Sequence, residues 1–439
     1  MSEMGSAKVR VPYGKRELEV QLDHERCELV GIYGLPSCAA GFDVAGAVVE
    51  ALENPIGSPR LSQIARGAGN VVIISDDATR VTPVSLILPH VLEELAQAGV
   101  GERDITIVMA NGTHRAMTYR EIEAKLGSGP AGRLRVVNHD YRADDLVDMG
   151  VTPSGIPVSI NRAVADADLV VGIGSIVPHR YCGWSGGAKI VQPGVCGEAT
   201  TVATHLMITH DAGVRLGNVE NVVRHEMEQV AARAGLRFIV NVALDVAGQV
   251  TSVVAGHPVA AHRAGVEGAE RVCGVHIPTT ADVVVAGSYP ADLNFWQAGK
   301  AFYTADLAVS EGGVIVLVTP AEEGVGEHPE FAELIPESRK TILHMLEADE
   351  IRDRLGAAAA LAVRLVADRA QIIVVTDGLS RSEVEGMGFE YFGSAQLQQA
   401  VDRAIELGAM RVNRPTITVL REAPDILPVI GTTRSSCSG

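Results

Sequence analysis

Aromatic residues are scarce in this chain, at 4% of 439 residues with only two tryptophans, so its packing must rest on aliphatic side chains. Positive charge is also in deficit: 37 Lys and Arg against 54 Asp and Glu leave a net charge of −17. That sign argues against nucleic acid and against an anionic membrane surface as partners. No apolar run reaches the ~18 residues that span a bilayer. The start, Met-Ser-Glu-Met-Gly-Ser, lacks the basic-then-apolar order of a secretory signal, and a cytoplasmic location is expected. Cysteine is sparse and scattered: Cys27, Cys38, Cys182, Cys196, Cys273 and Cys437 form no C-x-x-C pair and read as reduced thiols. Zinc-hydrolase spacing is missing too, since His225-Glu226 is not followed by a second histidine one turn on. No obvious trio of protein ligands offers a conventional metal site. Repeats are absent, and the run Ala357–Ala360 is ordinary helix composition.

What is present is β/α alternation. Val71-Val-Ile-Ile74, Ile105-Thr-Ile-Val-Met109 and Leu169–Gly174 are short β-branched runs that predict buried strands. A helix is expected from Pro83 to Ala98, with proline in its first turn, where a missing N–H costs nothing. Weaker alternation around Val9–Val11 and Glu17–Leu22 predicts edge strands. After a helix marked by Val219, Val222, Val223, Met227 and Val230 comes a strand at Phe238–Leu244, then helix over His257–Val272. A second β/α series follows at Asp282–Ala286, Gly313–Val318, Ile372–Val375 and Thr416–Leu420. The length exceeds one core. The expectation is therefore an α/β protein of two domains, residues 8–276 and 281–425, each with a mainly parallel sheet flanked by helices. Residues Met1–Ala7 are expected as a disordered lead and Ser435–Gly439 as a mobile tail.

Each of the first three strands ends in a polar cluster: Ser75-Asp-Asp-Ala-Thr-Arg80, Ala110-Asn-Gly-Thr-His114, and the run His179-Arg-Tyr-Cys-Gly-Trp-Ser-Gly-Gly-Ala-Lys189. Ligands bind beyond the carboxyl ends of parallel strands, so the three tips fall on one rim. Dense glycine lets a backbone approach a ligand, and a lysine between Ala188 and Ile190 loses its proton more readily than a solvated one. The loop is not a Walker loop, because Ala188 precedes the lysine and Ile190 replaces the magnesium-binding hydroxyl. The plainer alternatives are a surface turn with a solvated Lys189, an Asp77–Arg80 helix cap, and turn histidines at His114 and His179. In the second series, Gln297 and Lys300 lie three apart and share a face if a helix opens there.

Asp77-x-x-Arg80, Gly112-Thr113-His114, His179, Gly-x-Ser-Gly-Gly-x-Lys189, Pro193-Gly194, His205 and Gln297-x-x-Lys300 together resemble the lactate racemase family, over nearly the whole chain. The resemblance implies a nickel-pincer nucleotide, a pyridinium bisthiocarboxylic acid mononucleotide. It would be attached covalently at Lys189, with His205 as the protein's nickel ligand. Asp77 would touch that cofactor, and Ser185, Gly186 and Gly187 would give its phosphate N–H and hydroxyl donors. Soft sulfur donors plus one imidazole suit nickel, which accounts for the missing trio of protein ligands.

It further implies an active site in the interdomain cleft that inverts C2 of a 2-hydroxy acid by reversible hydride transfer. His114 and His179 would exchange the hydroxyl proton from opposite faces, and Arg80 would orient the hydroxyl oxygen. Gln297 and Lys300 would hold the carboxylate beside Trp296. Lactate enzymes of the family have tyrosine where Trp296 stands, and a second-domain pocket tryptophan that this chain lacks. The expected substrate is accordingly a lactate-like or other 2-hydroxy acid. The alternatives are an epimerase of a longer or sugar 2-hydroxy acid, and a non-catalytic anion- or nucleotide-binding protein on the same scaffold. Expected partners are the substrate and the enzymes that build the cofactor.

Overall fold

The computed structural model describes residues 6–34, 41–209, 211, 213–245 and 248–431. Cys38, Cys437, most of the expected N-terminal lead and the tail at 435–439 lie outside them. Cys27, Cys182, Cys196 and Cys273 are free, buried thiols. The α/β class is borne out, and the chain divides into two compact units, one of residues 36–272 and one of 1–35 with 273–439.

In the first unit a six-stranded sheet runs Val250–Gly256, Leu236–Leu244, Leu169–Ser175, Val71–Asp76, Ile105–Ala110, Arg135–Asn138. Every pairing is parallel except that of the first two strands. Strands buried on both faces need apolar residues at consecutive positions, which is why Val71, Val72, Ile73 and Ile74 are all sealed. Each such side chain contributes roughly 1.5–3 kcal/mol of transfer free energy. Helix Val84–Gln97 presents Val84, Ile87, Leu88, Val91 and Leu95 to this core at helical spacing. Pro83 caps that helix from just outside it. The antiparallel edge strand Val250–Gly256 was not expected from its short, half-buried run.

In the second unit the order is Glu390–Phe392, Gln371–Val375, Val309–Val318, Ala281–Gly287, Thr416–Leu420, Glu28–Tyr33, all parallel. Glu28–Tyr33 pairs with Thr416–Leu420, Leu29 opposite Ile417. The hairpin of Ser6–Tyr13 and Arg16–Asp23 buries Val9, Val11, Val20 and Leu22 in that unit's core. The expected 8–276 domain is corrected accordingly: its first strands belong with the C-terminal series. The physical reason is pairing across nearly four hundred residues, which local periodicity cannot carry. Among the described residues no helix is long and apolar enough to cross a membrane.

Candidate functional site

The parallel strands Val71–Asp76, Ile105–Ala110 and Leu169–Ser175 are neighbours, so their polar tips do share one rim. At the first tip Asp76 is buried. It forms an ion pair with Lys125 at 2.6 Å and accepts from the Thr82 hydroxyl, while Lys125 also donates to the Arg80 carbonyl at 2.7 Å. Two buried charges with complementary hydrogen bonds thus staple the loop that carries Asp77 and Arg80. Burial pushes the Asp76 carboxyl up, against the pull of Lys125.

Asp77 is sealed from solvent and faces the second tip: its Oδ2 is 2.7 Å from His114 Nδ1, and its Oδ1 accepts from the Thr79 hydroxyl at 2.6 Å. Burial alone would raise this carboxyl. The hydrogen bonds from His114 and Thr79 outweigh it and bring it to about 2. The second tip is set by Gly112, whose N–H donates to Gly194 at 3.0 Å, and by the His114 N–H, which donates to Asn111 at 2.9 Å. Asp77 is therefore the orienting partner of His114.

At the third tip the chain forms a two-residue ladder in which Pro178 faces Trp184 and His179 faces Gly183. A Cβ on Gly183 would stand 2.1 Å from the Asn218 carbonyl oxygen, so only glycine fits there. The Ser185 hydroxyl donates to the Ser175 carbonyl and accepts the Val177 N–H, both at 2.9 Å. The Gly187 N–H donates to Asn241 Oδ1 at 2.8 Å. These bonds hold the loop together. His262 donates from Nε2 to the Ser185 carbonyl at 2.8 Å. Arg224, fully buried, spreads its guanidinium over three carbonyls: Cys182 at 3.3 Å, Gly186 at 3.2 Å, and Trp184. A loop braced by Arg224 and His262 thus presents the lysine.

Lys189 lies in the 3₁₀ turn Gly187–Ile190. Burial, and next the charge of Arg80, lower its ammonium from 10.5 to about 8; Asp77 pulls weakly the other way. His205 occupies the last turn of helix Glu198–Leu206, with Nδ1 2.8 Å from the Thr201 carbonyl oxygen. That bond fixes the proton on Nδ1 and leaves Nε2 with its lone pair. Burial takes His205 down to about 4, and the charge of Lys189 adds to the drop. The Tyr181 ring sits between two histidines, its centroid 4.5 Å from His205 and 5.9 Å from His179. Asp77, Arg80, Lys189 and His205 therefore form one electrostatic neighbourhood, to which Asp77 ties His114 and Tyr181 ties His179.

A lactate racemase N-terminal domain model matches residues 13–217, and a lactate racemase C-terminal domain model matches residues 277–427. The chain belongs to the lactate racemase family. It is an isomerase of the racemase type. The lactate racemase of Thermoanaerobacterium thermosaccharolyticum is 34% identical over 325 residues, 73% of this chain and 76% of that protein. That of Lactiplantibacillus plantarum is 34% identical over 323 residues, 72% of this chain and 76% of that protein. The solved apoprotein of the Thermoanaerobacterium enzyme has a TM-score of 0.84 at 29% identity, covering 96% of this chain and 100% of that one. A Thermotoga maritima protein at 20% identity shares the fold, with a TM-score of 0.68 over 88% of this chain and 98% of its own.

In the other unit of this family member, helix Phe295–Ala308 opens on an Asn294 cap, and Lys300 donates to Gln297 Oε1 at 2.6 Å. The two do share a helix face. Trp296 stacks on His328 at 4.3 Å and meets Phe331 edge-on at 5.1 Å, while His328 Nδ1 lies 2.8 Å from Asp353. Sequence reasoning missed Arg224, Asn241, His262 and Lys125. Arg224 had one legible signal, a charge next to Val223 on the apolar face of helix Val222–Arg233.

Proposed function

We propose that this chain racemises or epimerises a 2-hydroxy acid larger or more polar than lactate, using a nickel-pincer nucleotide joined to Lys189 and ligated by His205. The convergence of a lowered-pKa amine and a lone-pair imidazole on one rim carries the reading. The donor set fits such a group: among the described residues no three His, Cys, Asp or Glu side chains gather to hold a metal by themselves. A metal that brings most of its own ligands needs a nucleophilic amine and one imidazole, and both are here. When bound, the group supplies a hydride acceptor for the C2 hydrogen.

The remaining chemistry belongs to the chain. Arg80 orients the substrate hydroxyl oxygen, and Gln297 and Lys300 take the carboxylate as a charge-assisted pair. His114, held by Asp77, moves the hydroxyl proton, with its imidazolium stabilised by that carboxylate. Trp296, backed by His328 and Phe331, gives the substrate region a bulkier wall than the tyrosine of the lactate enzymes. In this reading the protein works in the cytoplasm, alongside the enzymes that build its cofactor. The test is a panel of enantiopure 2-hydroxy acids followed by chiral chromatography on cofactor-loaded protein. Inversion of a longer, acidic or sugar acid faster than lactate is expected. Lactate as the best substrate overturns the specificity, and inversion of none overturns the reading.

A further inference from the structure

The pair of His328 and Asp353 has no task in the chemistry above. Asp353 caps helix Arg354–Ala367: its Oδ1 accepts the Gly356 N–H at 2.8 Å, and its Oδ2 lies 2.8 Å from His328 Nδ1. A carboxylate accepts and does not donate, so the neutral ring carries its proton on Nδ1 and a lone pair on Nε2. His328 is only 6% exposed, yet its Nε2 is not sealed and hydrogen-bonds to no described residue. The imidazole stacks on Trp296 with ring centroids 4.3 Å apart. A phenyl ring would stack there too, so the stack does not explain the ring nitrogens. Trp296 and Lys300 are four apart on helix Phe295–Ala308, neighbours at roughly 5–6 Å between Cβ atoms. Lys300, Trp296 and His328 therefore follow one another within a single unit, and the Trp296 indole N–H also bonds to no described residue.

We propose that His328 Nε2 accepts a hydrogen bond from a hydroxyl on the substrate chain beyond C2, which makes the substrate a polyhydroxy acid of the sugar-acid class. This rests on the racemase reading above, in which Gln297 and Lys300 take the carboxylate. The chemistry of the acceptor selects the group. A methylene has no proton to give, and a second carboxylate would set its own lone pairs against that of Nε2, with the Asp353 charge behind the ring. A hydroxyl donates to Nε2, and the Trp296 indole N–H is a donor of the kind that the next hydroxyl oxygen needs. Asp353 fixes the tautomer and makes His328 a recognition group instead of a proton shuttle. A chain without hydroxyls would cover Nε2 and leave it unpaired, so such substrates are penalised as well as unrewarded.

The test compares three acids of equal chain length on full-length, cofactor-loaded protein at about pH 8, where an ordinary imidazole is neutral. They are an aldonic acid, 2-hydroxyhexanoate without distal hydroxyls, and 2-hydroxyadipate with a second carboxylate. Binding is read by calorimetry and inversion by chiral chromatography. Wild type should bind the aldonic acid about 10–100-fold more tightly than 2-hydroxyhexanoate and favour it similarly in kcat/KM. His328→Phe, which keeps a ring on Trp296, should erase that preference by weakening the aldonic acid alone. His328→Gln, which retains an acceptor, should recover part of it, and it carries the test if the phenylalanine variant does not fold. A preference that survives His328→Phe, an equal loss on both acids, or 2-hydroxyadipate as the tightest ligand overturns the proposal. Binding of the aldonic acid that depends on His328 without inversion of any acid would end the racemase reading and leave the subsite standing.

Discussion

Asp77 and His114 stand 2.7 Å apart at the tips of two neighbouring parallel strands, the carboxylate sealed and the imidazole partly exposed. This is the geometry of a base and the group that orients it. Asp77→Asn keeps the shape but offers an amide that can present the wrong hydrogen to Nδ1. The expected outcome is a fall in kcat of about 10²–10⁴-fold with KM little changed, read from initial rates in both directions. A variant within a few-fold of wild type would remove Asp77 from the proton path.

Arg224 is a second positioning group, acting through carbonyls rather than on substrate. Arg224→Met leaves the carbonyls of Cys182, Trp184 and Gly186 without their donor, at a cost of about 2–4 kcal/mol in urea unfolding. Arg224→Lys should not restore it, because one ammonium cannot reach three separated carbonyls as a planar fork does. Full rescue by lysine would mean that charge alone matters.

The pH dependence of Lys189 follows from its depressed pKa. In cofactor-free protein its labelling by an amine reagent should reach half-maximum near pH 8, against 10.5 for an ordinary lysine. The sign for stability follows. The folded state disfavours the ammonium, so a penalty is present in full below about pH 8 and relieved as pH rises from about 8 to 10.5. Lys189→Met should therefore raise the cofactor-free melting temperature at pH 7, with the gain shrinking above pH 8. Labelling that follows the surface lysines would contradict the buried-amine picture.

The strands that frame the rim were legible because β-branched runs such as Val71–Ile74 need no partner to be recognised. Gln297 and Lys300 were legible as a helix-face pair for the same reason: both signals are local. The placement of Glu28–Tyr33 was not, because its half-exposed residues find their partner at Thr416–Leu420. The supports of the glycine loop were hidden for a related reason. Arg224, Asn241 and His262 act on carbonyls and N–H groups 38 to 77 residues away, and main-chain groups leave no trace in side-chain pattern. Glycine density signals an unusual backbone without saying what its donors face.

Hydride transfer and direct C2 deprotonation are separable. A C–H beside a carboxylate is very weakly acidic, and an imidazole with an ordinary pKa near ~6.5 is poorly matched to it. With substrate deuterated at C2 in ordinary water, inverted product should keep its deuterium through the early course of the reaction. Washout in the first turnovers would establish proton abstraction instead.

The proposed chemistry centres on what Lys189 carries. The decisive measurement is the intact mass, with nickel content, of protein produced alongside the cofactor-building enzymes. Wild type should show a single covalent adduct that maps to Lys189 on digestion, with about one nickel per chain. Lys189→Ala should lose the adduct altogether, and His205→Ala should keep it while holding nickel poorly. An adduct that persists on Lys189→Ala protein, or that maps to another residue, would contradict the account.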